Sequence, residues 1–477
     1  MYDYDWLVIG SGPAGEKGAV QAAYFGKRVA VIEKERVVGG ACINTGTLPS
    51  KTLRETAIYI SGYRNREMYG LSCNIDASFS VNELMCRQDP VIQGEQTRLR
   101  ENLRRHNVDL ISGTATFVDE HTVEIVPASG VPRRVTADAI LVAVGSSPYR
   151  PAFVPFEDPA VDDSDTILQL PTIPSELVVL GGGVIGCEYG SLFAALGTKV
   201  TIIEGRDQIL GFLDGEINRL LHFQLQKLGC EILLQTTVSS IARRGDGLVL
   251  TLHDGRELGC QRVLFAGGRA GNTRSLGLDR IGVQVDSRGL LKTDAQGRLA
   301  GTASGRVFAA GDVVGFPSLA SVAMEQGRVA ACHAFGFQYK QRVAENFPYG
   351  LYTLPEVSMI GETEESCRQK GIDYEVGRAS YRGNARGQIV GDLEGVVKLI
   401  FAVEDKRLLG VHILGERATE LIHIGQAVLH FGGTIDDFID QVFNFPTLSE
   451  LYKYAAYDGL GRKARRATSV MAAVRAE

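Results

Sequence analysis

Trp6-Leu-Val-Ile-Gly-Ser-Gly-Pro-Ala-Gly15 is an apolar run that enters a G-x-G-x-x-G motif, and Leu177-Val-Val-Leu-Gly-Gly-Gly-Val-Ile-Gly186 repeats the pattern further along the chain. Each copy continues into an amphipathic stretch and then into a second apolar run, which leads to Glu33 or Glu204 at the same offset. This order predicts strand, glycine-rich turn, helix and strand, the beginning of a doubly wound α/β unit with a parallel sheet. The chain is therefore expected to contain two such units.

The glycine pattern also indicates what these units bind. The first two glycines permit a tight turn and let the backbone approach a pyrophosphate, while the third lets helix and strand pack closely. The acidic residue at the end of the second strand suits a ribose hydroxyl. We expect two dinucleotide sites, one at Gly10, Gly12, Gly15 and Glu33 and one at Gly181, Gly183, Gly186 and Glu204. The alternative is two glycine-rich turns that bind nothing.

Length and composition narrow the class of protein further. The 477 residues suffice for about three domains. The net charge of −6 gives no electrostatic reason to expect a nucleic acid or an anionic membrane as partner. Neither a membrane-spanning run nor a signal segment is apparent, so we expect a cytoplasmic protein. The eight cysteines are scattered without a Cys-x-x-Cys pair, so we predict neither a metal site nor a disulfide framework.

Further apolar runs continue the α/β pattern, and after them the spacing of apolar residues changes. Ala139–Gly145, Arg262–Gly268 and Val307–Gly311 each read as a buried strand that ends in glycine. Asp312 follows directly, at the strand end where ligands bind in open α/β sheets, although a helix cap or a turn would also explain it. From about Asn346 the pattern becomes alternating, which indicates a separate α+β domain with an antiparallel sheet.

The segment Gly39-Gly-Ala-Cys-Ile-Asn-Thr-Gly-Thr-Leu-Pro-Ser-Lys51, together with the two dinucleotide motifs, resembles the flavoprotein disulfide reductases over essentially the whole chain. In that family the pattern is Gly-Gly-x-Cys-x-Asn-x-Gly-Cys-x-Pro-Ser-Lys, and its two cysteines form a redox disulfide beside the flavin. Here Thr47 replaces the second cysteine, so Cys42 cannot form that disulfide. The family's C-terminal His-Pro-Thr-x-x-Glu reads Phe445-Pro-Thr-Leu-Ser-Glu450, without its acid/base. Thiol exchange needs these groups and hydride transfer does not.

Longer strings are similar to one branch of the family, the soluble (Si-specific) pyridine nucleotide transhydrogenases. They are Arg206–Asp214, Gly268–Thr273, Gly311–Ser321 and Phe443–Thr447. This resemblance implies ping-pong hydride transfer between NADPH and NAD+ through FAD, without a redox-active disulfide. The main alternative is a dihydrolipoamide-dehydrogenase-like NAD(P)H oxidoreductase with a quinone or dye as acceptor. A degenerate flavoprotein with a structural role is a second alternative, disfavoured because the motifs are intact.

The resemblance assigns residues to both cofactors. It implies that FAD contacts Gly10, Gly12, Gly15, Glu33, Lys34, Gly39, Gly40, Cys42, Lys51, Gly113, Ala115, Gly145, Asp312 and Ala320. The nicotinamide nucleotide is expected at Gly181, Gly183, Gly186, Glu204, Arg206 and Gly268. Lys51 and Glu188 are the expected catalytic residues, a pair near flavin N5, and an ordinary helix-surface pair is the alternative.

Two of these positions keep alternatives open. Cys42 is read as a residue that lines the flavin, and a lone low-pKa thiol that cycles through sulfenic acid is the other interpretation. Glu204 favours the free 2′-hydroxyl of NAD(H), whereas Arg206, or Arg243 and Arg244, could pair with the 2′-phosphate of NADP(H). Arg243 and Arg244 could equally be a solvated loop pair.

The resemblance also implies a division into domains. A discontinuous FAD-binding domain is predicted at 1–150 and 275–345, an NAD(P)-binding domain at 151–274, and a dimerisation domain at 346–477. The expected assembly is a homodimer in which Phe445 and Glu450 face the partner's flavin. Whether a larger assembly forms is left open.

Overall fold

The structure is a computed structural model that describes residues 1–62 and 84–474. Its helices are α1 Pro13–Ala23, α2 Gly40–Asn44, α3 Thr47–Ser61, α4 Gln88–Arg105, α5 Val184–Ala195, α6 Gly215–Lys227, α7 Ala320–Phe335, α8 Glu364–Gln369, α9 Ala385–Val390, α10 Ala418–His430, α11 Asp436–Asp440 and α12 Leu451–Val474. Its strands are β1 Tyr4–Ile9, β2 Val29–Glu33, β3 Asp109–Ser112, β4 Thr114–Phe117, β5 Thr122–Val126, β6 Arg133–Val142, β7 Ser146–Pro148, β8 Val161–Asp162, β9 Glu176–Leu180, β10 Lys199–Ile203, β11 Cys230–Leu233, β12 Val238–Arg244, β13 Gly247–Leu252, β14 Glu257–Cys260, β15 Arg262–Phe265, β16 Arg269–Gly271, β17 Val307–Ala309, β18 Tyr349–Leu351, β19 Val357–Gly361, β20 Tyr374–Ser380, β21 Val396–Ala402 and β22 Leu408–Leu414.

The first unit is built on a parallel sheet in the order β3-β2-β1-β6-β17. Strand β6 is long, and its first half pairs antiparallel with β5, which in turn pairs with β4. Helix α1 follows the first glycine motif and packs closely on α7. The two backbones approach so closely that a Cβ on Gly327 would lie 2.1 Å from the Ala14 carbonyl oxygen. Trp6 fills the core below, edge-on to Phe308 and Phe335. Strand β17 and helix α7 therefore bring a distant part of the chain to the first motif.

The second unit repeats the arrangement with the parallel order β11-β10-β9-β15-β8. An antiparallel sheet of β12, β13 and β14 flanks it, and the short pair β7 and β16 connects the two units. The strands of the parallel sheet are almost wholly buried, which explains why they read as unbroken apolar runs rather than as alternating patterns. Both predicted doubly wound units are thus present.

The C-terminal unit is an antiparallel sheet in the order β18-β19-β22-β21-β20, covered by α10 and α12. The Tyr452 hydroxyl on α12 donates to the Leu421 carbonyl of α10 at 2.8 Å and joins the two helices. The predicted fold class, two α/β dinucleotide units and an α+β unit, is confirmed. The domain limits, 1–150 with 275–345, 151–274 and 346–477, stay predictions.

Within residues 1–62 and 84–474, none of the helices combines the length and the apolar character that crossing a membrane requires. The cytoplasmic location remains a prediction.

Candidate active site

The first glycine-rich turn joins β1 to α1 in a form that only glycine allows. Gly10 has a φ of 104°, and a Cβ there would lie 2.4 Å from the Ala143 carbonyl oxygen. A Cβ on Gly15 would lie 1.9 Å from the Gly10 carbonyl oxygen, so strand and helix touch at this point. At Gly12 the nearest atom would be 4.0 Å away, which leaves open space at the helix N-terminus. A phosphate group fits such a cradle.

Glu33 is held at the end of β2 beside this turn. Its Oε2 accepts hydrogen bonds from the backbone N–H and the hydroxyl of Ser11, at 3.0 and 2.6 Å, and its Oε1 accepts from the Glu35 N–H at 3.0 Å. The carboxylate is buried and held by these three hydrogen bonds. Lys34 instead is exposed, with its Nζ 3.6 Å from Glu35 Oε1, and its cofactor contact stays a prediction.

The segment that carries Cys42 runs directly above the first turn. Gly39 has a φ of 101° and donates its N–H to Ser11 Oγ at 3.0 Å, and a Cβ on Gly40 would lie 3.1 Å from the Gly12 Cα. Helix α2 begins there and brings the Cys42 thiol to a half-buried position. Burial raises the pKa of this thiol, even though a hydrogen bond with the Thr47 side chain opposes the effect. The structure therefore offers no support for a low-pKa thiol.

The remaining predicted FAD positions lie around the same sheet edge. The Gly113 N–H donates to the Glu33 carbonyl at 2.9 Å, and Ala115 is buried in β4 directly after it. Asp312 follows β17, and its Oδ2 accepts from the Ser146 hydroxyl at 2.9 Å. Gly145 has a φ of 65°, and Ala320 begins helix α7. Strands β1, β6 and β17 thus bring most of these positions to one edge of the sheet.

The second glycine-rich turn has the same geometry as the first. Gly181 has a φ of 116°, and a Cβ there would lie 2.7 Å from the Ala266 carbonyl oxygen. A Cβ on Gly186 would lie 1.9 Å from the Gly181 carbonyl oxygen, whereas nothing lies within 4 Å of one on Gly183. The chain therefore contains two equivalent cradles at the N-termini of α1 and α5. Each of them can accept a pyrophosphate.

Glu204 and Arg206 form a bidentate ion pair beside this second turn. Arg206 Nε donates to Glu204 Oε1 at 2.9 Å and its Nη2 donates to Oε2 at 3.0 Å, while the Gly182 N–H also donates to Oε2 at 2.8 Å. Burial acts to raise the pKa of Glu204, but the hydrogen bonds from Arg206 outweigh it and the pKa is lowered. The Arg206 side chain is 60% exposed although it makes this ion pair.

The two arginines considered as alternatives to Arg206 are engaged elsewhere. Arg243, on β12, makes an ion pair with Asp158, and Arg244 donates to both carboxylate oxygens of Glu257 at 2.8 and 3.0 Å. They belong to a strand rather than to a solvated loop. Gly268 has a φ of 102° and accepts the Tyr149 N–H at 3.0 Å through its carbonyl.

Lys51 and Glu188 meet across the boundary of the two units. Lys51 lies on α3 and Glu188 on α5, and the ammonium Nζ is 2.6 Å from Glu188 Oε2. The other carboxylate oxygen, Oε1, accepts the backbone N–H of Tyr352 at 2.9 Å. The Tyr352 ring lies 5.0 Å from the ammonium, so the C-terminal unit also contributes to this site. The pair is partly buried, which distinguishes it from an ordinary surface pair.

Sequence reasoning missed several residues that organise the site. Ser11 orients Glu33, Ser146 orients Asp312, and Arg269 donates to the Ser146 hydroxyl at 2.8 Å. Tyr352 and Arg54 flank the Lys51–Glu188 pair. Ser11 lies inside the glycine motif and could have been noticed there, but the other contacts join residues that are far apart in sequence.

One acidic cluster lies away from these turns. Asp214, Glu216 and Glu364 bring carboxylate oxygens within 4.8 Å of one another, which is a spacing that could hold a metal ion. The Lys398 ammonium, however, reaches all three carboxylates at 2.7, 2.8 and 2.5 Å. The Lys398 ammonium and the Arg378 guanidinium, which pairs with Glu216, therefore already engage these carboxylates, and the absence of a metal site stays a prediction.

Comparisons with known proteins agree with this geometry. The family model described as pyridine nucleotide-disulphide oxidoreductase matches residues 4–327, and that described as the dimerisation domain of the same family matches residues 347–456. A protein of Mycobacterium tuberculosis named soluble pyridine nucleotide transhydrogenase is 45% identical over 97% of this chain and 98% of its own length. A protein of the same name from Pseudomonas aeruginosa is 41% identical over 97% and 99%.

Solved structures give the same result for the fold. The HOCl-induced flavoprotein disulfide reductase RclA of Escherichia coli superposes with a TM-score of 0.84 at 28% identity, over 94% of this chain and 98% of its own. LpdA of Mycobacterium tuberculosis gives a TM-score of 0.87 at 26% identity, over 95% and 99%. The resemblance drawn from the sequence motifs is thus confirmed.

Proposed function

We propose that this chain, which belongs to the pyridine nucleotide-disulphide oxidoreductase family, is a flavin-dependent transhydrogenase that passes hydride between NADPH and NAD+. Relatives that carry the name soluble pyridine nucleotide transhydrogenase are 41 to 45% identical to it over nearly their full length. The cofactor is FAD, and NAD(H) and NADP(H) are the substrates. When bound, FAD supplies a ring that can accept a hydride from one nucleotide and release it to another.

The first unit has the features that FAD requires. The open space over Gly12 and the N-terminus of α1 suit the pyrophosphate, and Glu33, already oriented by Ser11, suits the adenosine ribose. Asp312 presents a carboxylate oriented by Ser146 for the ribityl hydroxyls. We assign the second cradle, at Gly181, Gly183 and Gly186, to the nicotinamide nucleotide in the same way.

The observation that carries the proposal is the composition of the segment from Cys42 to Lys51. Its thiol has a raised pKa and is hydrogen-bonded to Thr47, where disulfide reductases have a second sulfur. Phe445 stands where they have the acid/base histidine, and its side chain is 73% exposed. The Lys51–Glu188 ion pair, which hydride transfer can use, is formed. These residues support hydride chemistry without thiol chemistry.

Lys51 is the residue to which we assign a direct role. Its ammonium would stabilise an anionic reduced flavin bound within its reach, and Glu188 holds the ammonium in place. A fixed charge of this kind contributes because it needs no reorganisation during the reaction. The backbone bond from Tyr352 to Glu188 Oε1 fixes the carboxylate in turn.

We further propose that the two nucleotides take turns at one site. The second unit provides a single glycine-rich cradle, so the donor nucleotide has to leave before the acceptor binds, and the kinetics are ping-pong. Specificity then rests on Glu204 and Arg206. Glu204 can accept the free 2′-hydroxyl of NAD(H), and Arg206 can leave it to pair with the 2′-phosphate of NADP(H).

Anaerobic stopped-flow tests this function directly. The purified flavoprotein is mixed with NADPH or with NADH, flavin bleaching is followed, and the opposite oxidised nucleotide is then added. Bleaching by both nucleotides and rapid recolouring by either is the expected result. Bleaching by NADH alone would contradict the proposal and would favour a quinone or dye acceptor.

Lys51→Ala and Glu188→Ala in the same apparatus test the catalytic assignment. We expect flavin reduction to slow by about tenfold or more while FAD stays bound, because the charge beside the ring is lost or displaced. Lys199→Ala is the matched control, since Lys199 is an exposed strand residue whose ammonium pairs with the exposed Glu176. Unchanged reduction rates in both variants would remove the pair from the mechanism.

A further inference from the structure

We infer that Arg54 is a positioning residue that sets the place of the Lys51 ammonium through Tyr352 and Glu188; this inference rests on the proposed function. Arg54 lies on α3, one turn beyond Lys51, and its side chain is only 5% exposed. Its Nη1 pairs with Glu55 on the same helix at 2.7 Å, and its Nη2 contacts the C-terminal unit.

Arg54 fixes the segment that starts at Tyr352. Its Nη2 donates to the Thr353 carbonyl at 3.2 Å and lies 3.1 Å from Glu356 Oε1. Glu356 is itself held, because its Oε2 accepts from the Thr419 hydroxyl at 3.0 Å. The guanidinium lies 6.0 Å from the Tyr352 ring, and the Lys51 ammonium lies 5.0 Å from the same ring. Two cations of one helix therefore lie near one aromatic ring.

The same segment controls Glu188. The Tyr352 N–H donates to Glu188 Oε1, and two residues later the Leu354 N–H donates to the Ser191 hydroxyl of α5 at 3.1 Å. Glu188 Oε2 then contacts Lys51 Nζ. A continuous path thus runs from Arg54 through residues 352–354 to the carboxylate and the ammonium. Any shift of this segment displaces the ammonium.

The hydrogen bonding of Arg54 argues against a role in stability alone. Its Nε is buried and has no hydrogen-bond partner among the residues that the structure describes. A buried donor without a partner lowers the stability of the fold, so this guanidinium is not optimised for stabilisation alone. The forked, planar guanidinium explains why an arginine stands at this position, because it can reach a carbonyl, a carboxylate and a ring together.

The test compares Arg54→Leu and Arg54→Lys with the wild-type holoenzyme. Dithionite titration in the presence of a reference dye gives the midpoint potential of the bound flavin without any nucleotide. In Arg54→Leu we expect a shift to a more negative potential and a flavin reduction rate about tenfold lower, with KM for NADPH little changed. Arg54→Lys should recover part of both effects, since it restores the cation. Arg104→Leu, on the exposed surface of α4, is the matched control.

The outcomes separate a positioning role from a structural one. A wild-type potential in Arg54→Leu would overturn the inference, and so would equal losses of FAD in the Leu and Lys variants. If Arg54→Leu does not fold, Glu356→Gln weakens the same contact, and a wild-type potential there would also overturn it. If no nucleotide reduces the wild-type enzyme, the proposed function fails, but the potential shift still decides the role of Arg54.

Discussion

At the scale of single residues, the Glu204–Arg206 ion pair is the proposed source of specificity for both nucleotides. A buried glutamate at the end of β10 would by itself repel a 2′-phosphate, yet here Arg206 neutralises it and can leave it, because the arginine is mostly exposed. The pair therefore gives a physical reason why one cradle could accept both nucleotides. It also predicts for which nucleotide KM rises when the arginine is removed.

Arg206→Ala should raise KM for NADPH by about ten- to a hundredfold, the value of a charge-assisted pair with phosphate. The effect on NADH should be small, since Glu204 still offers its carboxylate to the ribose. Steady-state kinetics with each nucleotide measures the change, and Arg244→Ala serves as control because Arg244 is paired with Glu257 on the surface. Equal increases in KM for NADH and NADPH would show that Arg206 does not recognise the 2′-phosphate.

Cys42→Ser should leave hydride exchange within about twofold of the wild-type rate. Burial raises the pKa of the thiol, so little of it is thiolate at neutral pH, and the thiolate is the reactive form. Stopped-flow rates test this, together with labelling of the native protein by a thiol reagent, in which Cys42 should react slowly. Loss of exchange in the serine variant would reopen the sulfenic acid interpretation.

At the scale of elements, Lys398 joins the N-terminus of α6 to strand β21 and helix α8. Its ammonium is fully buried among Asp214, Glu216 and Glu364, and Asp214 also caps α6 through the Glu216 N–H. Lys398→Met would leave the buried Asp214 carboxylate without its ammonium partner, at a cost of about 3 to 5 kcal/mol, whereas Glu216 would keep its ion pair with Arg378. We expect a clear drop in the thermal midpoint measured by calorimetry. Lys370→Met, which removes an exposed pair with Glu362, should cause almost none.

His412, on the neighbouring strand β22, makes this region sensitive to acid. Burial lowers its pKa, the charges of Asp214, Glu365 and Lys398 act on it, and its Nε2 lies 2.8 Å from the Glu362 carbonyl oxygen. Below the usual imidazole pKa of 6.5 the unfolded chain binds a proton that the folded chain does not, so stability falls as pH decreases. The loss should reach up to about 1.4 kcal/mol per pH unit and stop at the folded pKa.

His412→Gln should remove this part of the pH dependence, since glutamine does not titrate. The measurement is the thermal midpoint of wild type and variant between about pH 7.5 and pH 5.5, a range that covers the imidazole titration. The two proteins should differ in slope and not merely in midpoint. Parallel pH profiles would show that His412 is not the group responsible.

An element could be predicted from the sequence when the residues that determine it lie close together along the chain. Both strand, turn and helix units were predicted because the glycine spacing and the apolar runs act within about 30 residues. Arg54 and Tyr352 could not be, because their contact depends on packing between α3 and a segment some 300 residues away. Lys398 interrupts an apolar strand pattern and reads as a solvated residue, although its side chain is fully buried.

At the scale of the whole molecule, the C-terminal unit presents apolar side chains that nothing in the described chain covers. Val442 is 94% exposed, Phe431 84% and Phe445 73%. Large apolar side chains exposed to this degree are suited to burial against a partner, where their removal from water is favourable. The family model for a dimerisation domain matches residues 347–456 and so includes all three. We propose that a second copy of the chain covers them.

If the chain forms a homodimer, both the mass of the assembly and the effect of dissociation on flavin reduction can be predicted. Sedimentation velocity should give about twice the 51.6 kDa of one chain for the wild-type protein, a C2 dimer being the commonest assembly. Val442→Asp should shift the protein toward the monomer, because a charge buried without a partner opposes association. Phe223→Asp, at an exposed position of α6 in the second unit, is the control and should remain dimeric.

If Phe445 and Glu450 face the partner's flavin, the Val442→Asp monomer should also lose flavin reduction while its two glycine-rich turns stay intact. A monomer with wild-type reduction rates would mean that each chain contains a complete site.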